Sequence, residues 1–179
     1  YDPFADEIPA YFEMDLETLL EQKHPTAWLE FERDAIDEAT FFDRFFEDGR
    51  TIDGEGLKRV VREAYDFVPG MESLLRQLDE AGYEIHAMSN YTCWYRMIEE
   101  ELELSRFLEW SFVSCETGLR KPERAAYEHA LEVLGAEPEA CVFVDDREVN
   151  CEAAREVGIA AIRFEGAEAL KKELLESNA

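Results

Sequence analysis

At 179 residues with 46% hydrophobic side chains, the chain is long enough to bury a substantial core and too apolar to be disordered. Its 43 acidic residues against 18 basic ones give a formal net charge of −25, which opposes binding to nucleic acid or to an anionic membrane. No apolar run approaches the roughly 20 residues of a membrane span, and no basic-then-apolar signal opens the sequence, which starts at Tyr1 rather than Met.

Four segments ahead of Pro69 have helical periodicity: Leu16 to Gln22, Thr26 to Arg33, Asp37 to Glu47 and Glu55 to Tyr65. Asp37 and the run Thr51-Ile52-Asp53-Gly54 supply cap and turn signals. No convincing strand separates them, so residues 1–67 are expected to form an all-helical block. From Pro69 the pattern alternates. Met71 to Ala81 predicts a helix stopped at Gly82, Glu84 to Met88 a strand, Trp94 to Leu102 a helix and Trp110 to Cys115 a strand. Glu123 to Leu134 follows as a helix bracketed by Pro122 and Gly135. Ala140 to Val144 predicts a strand, Asn150 to Val157 a helix and Ala160 to Phe164 a last strand. Such alternation with short connections implies an α/β domain over 68–179, a Rossmann-like parallel sheet flanked by helices. Ligands of such sheets sit beyond the carboxyl ends of the strands.

Three segments fall at those ends: Met88-Ser89-Asn90, Gly118-Leu119-Arg120-Lys121-Pro122 and Val142-Phe143-Val144-Asp145-Asp146. Ser89 offers a hydroxyl for a phosphoryl oxygen with Asn90 beside it, although Ser-Asn is also an ordinary turn dipeptide. Lys121 places an ammonium just ahead of a helix, where free N–H groups already favour anions. Asp145-Asp146 closes a wholly apolar strand with two like charges, a costly arrangement without a cation or hydrogen bonds. Mg²⁺ is the natural partner, being hard and habitually held by one or two carboxylates plus substrate phosphate. Against a net charge of −25, positive charge for an anionic substrate must be concentrated locally. The acidity itself fits either a solubilising surface or adaptation to a salty cytoplasm. Cys93, Cys115, Cys141 and Cys151 form no C-x-x-C pair and are expected reduced and packed. His24, His86 and His129 lack ligand spacing, so no zinc site is expected.

In this order the three segments resemble the haloacid dehalogenase superfamily of hydrolases, chiefly phosphatases. Ser89 matches its second motif, Lys121 its third and Asp145-Asp146 its fourth, followed by Asn150, Ala154 and Gly158. The likeness covers about Pro69 to Phe164, and the helical block resembles the family's cap, inserted after a first strand. It implies phosphoryl transfer to an aspartate, then hydrolysis by water. Lys121 and Ser89 would steady the phosphoryl oxygens while Asp145 or Asp146 holds Mg²⁺. The acidic doublet favours the metal-dependent phosphatases over the dehalogenating branch.

One motif is absent. The family's first strand ends in Asp-x-Asp, whose first Asp is the nucleophile, and no Asp-x-Asp occurs in residues 1–179. The nucleophile is therefore expected upstream of Tyr1, and the alternative is a phosphate-binding module without catalysis. Omitting the first strand would also expose the edges of its two neighbours. The segments Tyr1-Asp2-Pro3-Phe4, Glu21 to Pro25, Trp28 to Glu32, Asp48-Gly49-Arg50 and Ser89 to Tyr95 further resemble plant plastid flavin mononucleotide hydrolases and their bacterial relatives. That likeness implies a small phosphate ester as substrate, flavin mononucleotide ahead of sugar phosphates or phosphoglycolate. It also implies a cytoplasmic or plastid-stroma location. Trp28, Trp94 and Tyr95 could stack on a flat ring, though aromatics at helix spacing equally fit core packing.

Overall fold

The computed structural model describes residues 5–176. Tyr1 to Phe4, which carry part of the narrower likeness, lie outside the described residues. The chain divides into two compact units. One runs up to Asp66 and takes in Tyr91–Arg106 and Ser114–Gly118; the other comprises Phe67–Asn90, Phe107–Val113 and the chain from Leu119 onward.

The first unit is helical: α1 (Glu7–Tyr11), α2 (Leu16–Gln22), α3 (Ala27–Phe31), α4 (Glu38–Asp43), α5 (Gly54–Glu63), α7 (Tyr95–Leu102) and the single turn α8 (Ser114–Thr117). Three are capped by aspartate side chains. Asp15 accepts from the Thr18 amide at 2.8 Å, Asp37 from Thr40 at 2.8 Å and Asp53 from Gly56 at 2.9 Å. Each such cap satisfies an otherwise orphaned N–H and contributes about 1 kcal/mol. Helix α4 stops at Asp43, four residues short of the predicted Glu47, because the chain turns there into an antiparallel bridge between Lys23 and Phe46. That bridge is closed by His24 N to Phe45 O at 2.9 Å and Glu47 N to Gln22 O at 2.9 Å.

The core of this unit is aromatic. Phe31 and Phe41 stack at 4.7 Å, and Trp94 meets both edge-on at 5.7 and 5.8 Å. Division at 67/68 would put residues 91–106 and 114–118 with the α/β part, but by packing they belong with the helices. The reason is burial: Trp94 and Met97 enter the same cluster as Phe31, Phe41, Leu57 and Val61. Ser114, fully buried, also donates to Glu32 O at 2.6 Å and accepts from Tyr91 N at 3.0 Å.

The second unit contains α6 (Met71–Glu80), β1 (His86–Ser89), β2 (Glu109–Val113), α9 (Arg124–Leu134), β3 (Val142–Asp145), α10 (Glu148–Glu156), β4 (Ala160–Arg163) and α11 (Ala167–Lys171). All strand pairing is parallel, in two pairs: β1 with β2, and β3 with β4 from Val142↔Ala160 to Asp145↔Arg163. Among the described residues no ladder joins the pairs, so β1 and β3 each keep one open edge. Strand β3 explains the helical layers. Phe143 packs into the cluster of Ala126, Tyr127, Ala154 and Ile159, and its neighbour Val144 packs into that of Leu74, Leu78, Ala167 and Leu170. Alternate side chains point to opposite faces, so an apolar run without alternation demands cover on both. Helix α9 ends at Gly135 in the left-handed conformation, φ 60°, where a side chain would be strained. No helix among the described residues is long and apolar enough to cross a membrane.

Candidate active site

Strands β1 and β3 deliver their carboxyl ends to Lys121, within the second unit. Its ammonium lies 2.6 Å from Asp145 Oδ2, with the two side chains 12% and 5% exposed. At its other end, the Lys121 backbone is held by the Asn90 side chain: Asn90 Nδ2 donates to Lys121 O and Lys121 N donates to Asn90 Oδ1, both at 2.7 Å. Lysine is thus fixed at backbone and tip by residues that follow or end two different strands.

Asp145 is the hub. Its Oδ1 accepts from the Arg147 amide and from Asn150 Nδ2, both at 2.9 Å. Burial pushes the Asp145 carboxyl up, but the Lys121 charge and hydrogen bond, the Arg147 amide and Asn150 outweigh it. The carboxyl is held below the usual carboxylate range. Asn150, 2% exposed, is fixed in turn by Tyr127, whose hydroxyl donates to Asn150 O at 2.9 Å. Asn150 Oδ1 is buried without a hydrogen-bond partner, a cost of about 1–3 kcal/mol that the fold bears to aim Nδ2 at Asp145. Burial comes first in raising the Tyr127 phenol above its ordinary value, with the Asp145 charge next.

The doublet is therefore split by its surroundings. Asp145 is buried and spent on protein donors, whereas Asp146 is exposed and, among the described residues, its carboxylate has no hydrogen bond or ion pair. The Ser89 hydroxyl, at the end of β1, is likewise free. No group of three or more His, Cys, Asp or Glu among the described residues could by itself hold a metal. The donors that remain still fit Mg²⁺, which needs only one or two carboxylate oxygens and fills its shell with water and phosphate. The chemical inventory is one ammonium fixed against the end of β3, one free hydroxyl at the end of β1 and one free carboxylate just past the end of β3.

The three aromatic candidates lie in the first unit. Trp94 is 2% exposed and donates from Nε1 to Glu38 at 2.6 Å, so its ring is part of the core and has no open face for a ligand. Trp28 makes edge contacts with Phe31, Phe41, Tyr91 and Trp94. Tyr95 is half-buried; its hydroxyl donates to Glu116 at 3.1 Å and Arg96 lies over its ring. From sequence alone Asn90 suits either a phosphate contact or a turn, and Asn150 and Tyr127 have no assigned role. Asn150 carried a usable signal, a polar residue in the first helical turn five positions after Asp145.

Residues 3–158 match the family model of haloacid dehalogenase-like hydrolases. The chain belongs to that family. It is 46% identical over 173 residues to the chloroplastic flavin mononucleotide hydrolase 1 of Arabidopsis thaliana, spanning 97% of this chain and 71% of that protein. Among solved structures, a HAD family enzyme of Bacteroides thetaiotaomicron, in complex with magnesium and inorganic phosphate, matches with a TM-score of 0.74. The identity there is 21%, over 90% of this chain and 86% of that one. The L-2-haloacid dehalogenase of Xanthobacter autotrophicus matches with a TM-score of 0.64 at 18% identity, over 97% of this chain and 76% of its own. At such identities these two likenesses establish the fold.

Proposed function

We propose that the protein is a Mg²⁺-dependent phosphatase of small phosphate monoesters, with flavin mononucleotide as its preferred substrate. The observation that carries the chemistry is the Lys121–Asp145 pair, 2.6 Å apart and buried, beside the free Ser89 hydroxyl and the free Asp146 carboxylate. The substrate follows from the 46% identity to a flavin mononucleotide hydrolase.

Lys121 meets the phosphoryl group with a charge whose position does not have to be reorganised as negative charge develops on the oxygens. Ser89 donates its hydroxyl to a second oxygen. Asp145 keeps Lys121 oriented, and Asp146, with Asp145 behind it, would hold the metal. When bound, Mg²⁺ supplies a Lewis acid that neutralises phosphoryl charge. The attacking carboxylate is not an Asp-x-Asp of residues 1–179. We assign it to a strand outside those residues, pairing with the edges that β1 and β3 leave open. A net charge of −25 argues against nucleic acid or anionic lipid as partners. A reducing compartment, cytoplasm or plastid stroma, suits the four free cysteines.

The test is a panel of phosphate monoesters given to the full-length protein in Mg²⁺. Flavin mononucleotide is expected to have the highest kcat/KM, ahead of sugar phosphates and phosphoglycolate. Absence of phosphate release across the panel sinks the proposal, and a sugar phosphate at the head of the ranking sinks its choice of substrate.

A further inference from the structure

We propose that Asn90 serves the reaction as a positioning residue for Lys121 and is not a ligand of the phosphate; the inference rests on the functional reading above. A dipeptide Ser-Asn at a strand end looks like two ligands side by side, but the structure separates them. Ser89 has a free hydroxyl, whereas the Asn90 amide is engaged at both ends by one peptide residue. Nδ2 gives its hydrogen to Lys121 O and Oδ1 takes one from Lys121 N, each at 2.7 Å. This two-point embrace is the pattern a neighbouring strand's backbone would offer, supplied here by a side chain from 31 residues away. It leaves the amide no rotation that keeps both bonds.

The consequence lies in the long stem of lysine. Four methylenes separate the Lys121 backbone from its ammonium, and freezing them costs rotamer entropy that the far-end pair with Asp145 must offset. With the backbone clamped by Asn90 and the tip by Asp145, the ammonium is confined to one place. Asp145 is itself braced by the Arg147 amide and Asn150, so the tip cannot drift with its partner. Without Asn90 the Lys121 peptide loses two short hydrogen bonds, and the charge stays paired but is displaced. Misplacement of a reacting group by about 1 Å costs on the order of 10²-fold in rate.

A residue that acts only through Lys121 has nothing left to do once Lys121 is gone, so a double-mutant cycle separates the two roles. The full-length protein, Asn90→Ala, Lys121→Ala and the double variant are compared in flavin mononucleotide hydrolysis with Mg²⁺. Calorimetric binding of inorganic phosphate is the second readout, and melting temperature the control. We expect Asn90→Ala to lower kcat/KM by about 10- to 100-fold, mostly in kcat. In the Lys121→Ala background the same change should cost less than about 3-fold in either readout. Losses that multiply across the cycle would make Asn90 a direct phosphate contact, and an unchanged Asn90→Ala would remove it from the mechanism; either result overturns the proposal. If Asn90→Ala melts too low to assay, Asn90→Ser, which keeps one partner for the Lys121 peptide, enters the same cycle with the same criterion. Wild-type activity in Lys121→Ala would instead contradict the functional reading itself.

Discussion

Replacing Asp145 with asparagine isolates the charge of the hub while keeping its shape. Oδ1 can still accept from the Arg147 amide and from Asn150, but the atom at the Oδ2 position becomes an NH₂ group facing the Lys121 ammonium. With side-chain exposures of 12% and 5%, water cannot take over the partner's role. Breaking a buried pair from one side costs about 3–5 kcal/mol, because the other charge is left uncompensated. For a chain of this size each kcal/mol moves Tm by about 2–4 °C, so Asp145→Asn should melt about 6–20 °C lower. Urea unfolding followed by circular dichroism measures the same difference, and Asp145→Asn/Lys121→Met should recover much of it, since neither charge is then stranded. The wild-type carboxyl is held below its ordinary range. Its contribution is therefore present above about pH 4 and is lost as pH falls through the folded-state value. Asp145→Asn should flatten that acid limb. A destabilisation under about 1 kcal/mol, the level of an exposed ion pair, would refute the assignment of this pair as a buried hub.

Other outcomes follow from particular contacts. Gly54→Ala, normally worth about 1 kcal/mol of added helix propensity, should instead destabilise by about 1–3 kcal/mol in urea unfolding, because the new methyl would overlap the Phe42 ring. Glu38→Ala strips the partner from buried Trp94 Nε1 and from Lys58, 2.6 and 3.0 Å away, and should cost about 1–3 kcal/mol with a change in tryptophan fluorescence. Burial first, and then the Glu116 charge, push the Cys115 thiol up to about 11. Iodoacetamide at pH 8 should therefore label it about 10²-fold more slowly than a free thiol, read by mass spectrometry after peptide mapping.

The residues of the candidate site were legible where the chemistry is carried by type and position together. Asp145-Asp146 ends an apolar run, where polar groups need partners, and Lys121 directly precedes Pro122 and a helical stretch. Helix starts were legible for the same kind of reason, because Asp37 and Asp53 are acceptors that orphan amides require. The hold of Asn90 on the Lys121 backbone was not legible, because its partner is 31 residues away, a contact no local pattern encodes. Trp94 shows the opposite difficulty. An aromatic at helical spacing fits a core and a ligand platform equally well, and only the surrounding Phe31, Phe41 and Glu38 decide between them. The periodicity of α7 marks one buried face without saying which neighbours bury it, so its place in the first unit was not legible from the sequence. The split of the acidic doublet was also invisible, since both aspartates read alike until Arg147 and Asn150 are seen to favour one.

Lys121, fixed by Asp145, is proposed to serve the hydrolysis of a phosphate monoester. Riboflavin released from flavin mononucleotide by the full-length protein in Mg²⁺, measured side by side for wild type and Lys121→Ala, tests it most directly. Turnover by the wild type and a loss of at least about 10²-fold in the variant are expected, with the variant still folded. Equal turnover in the two, or none in the wild type, would contradict it.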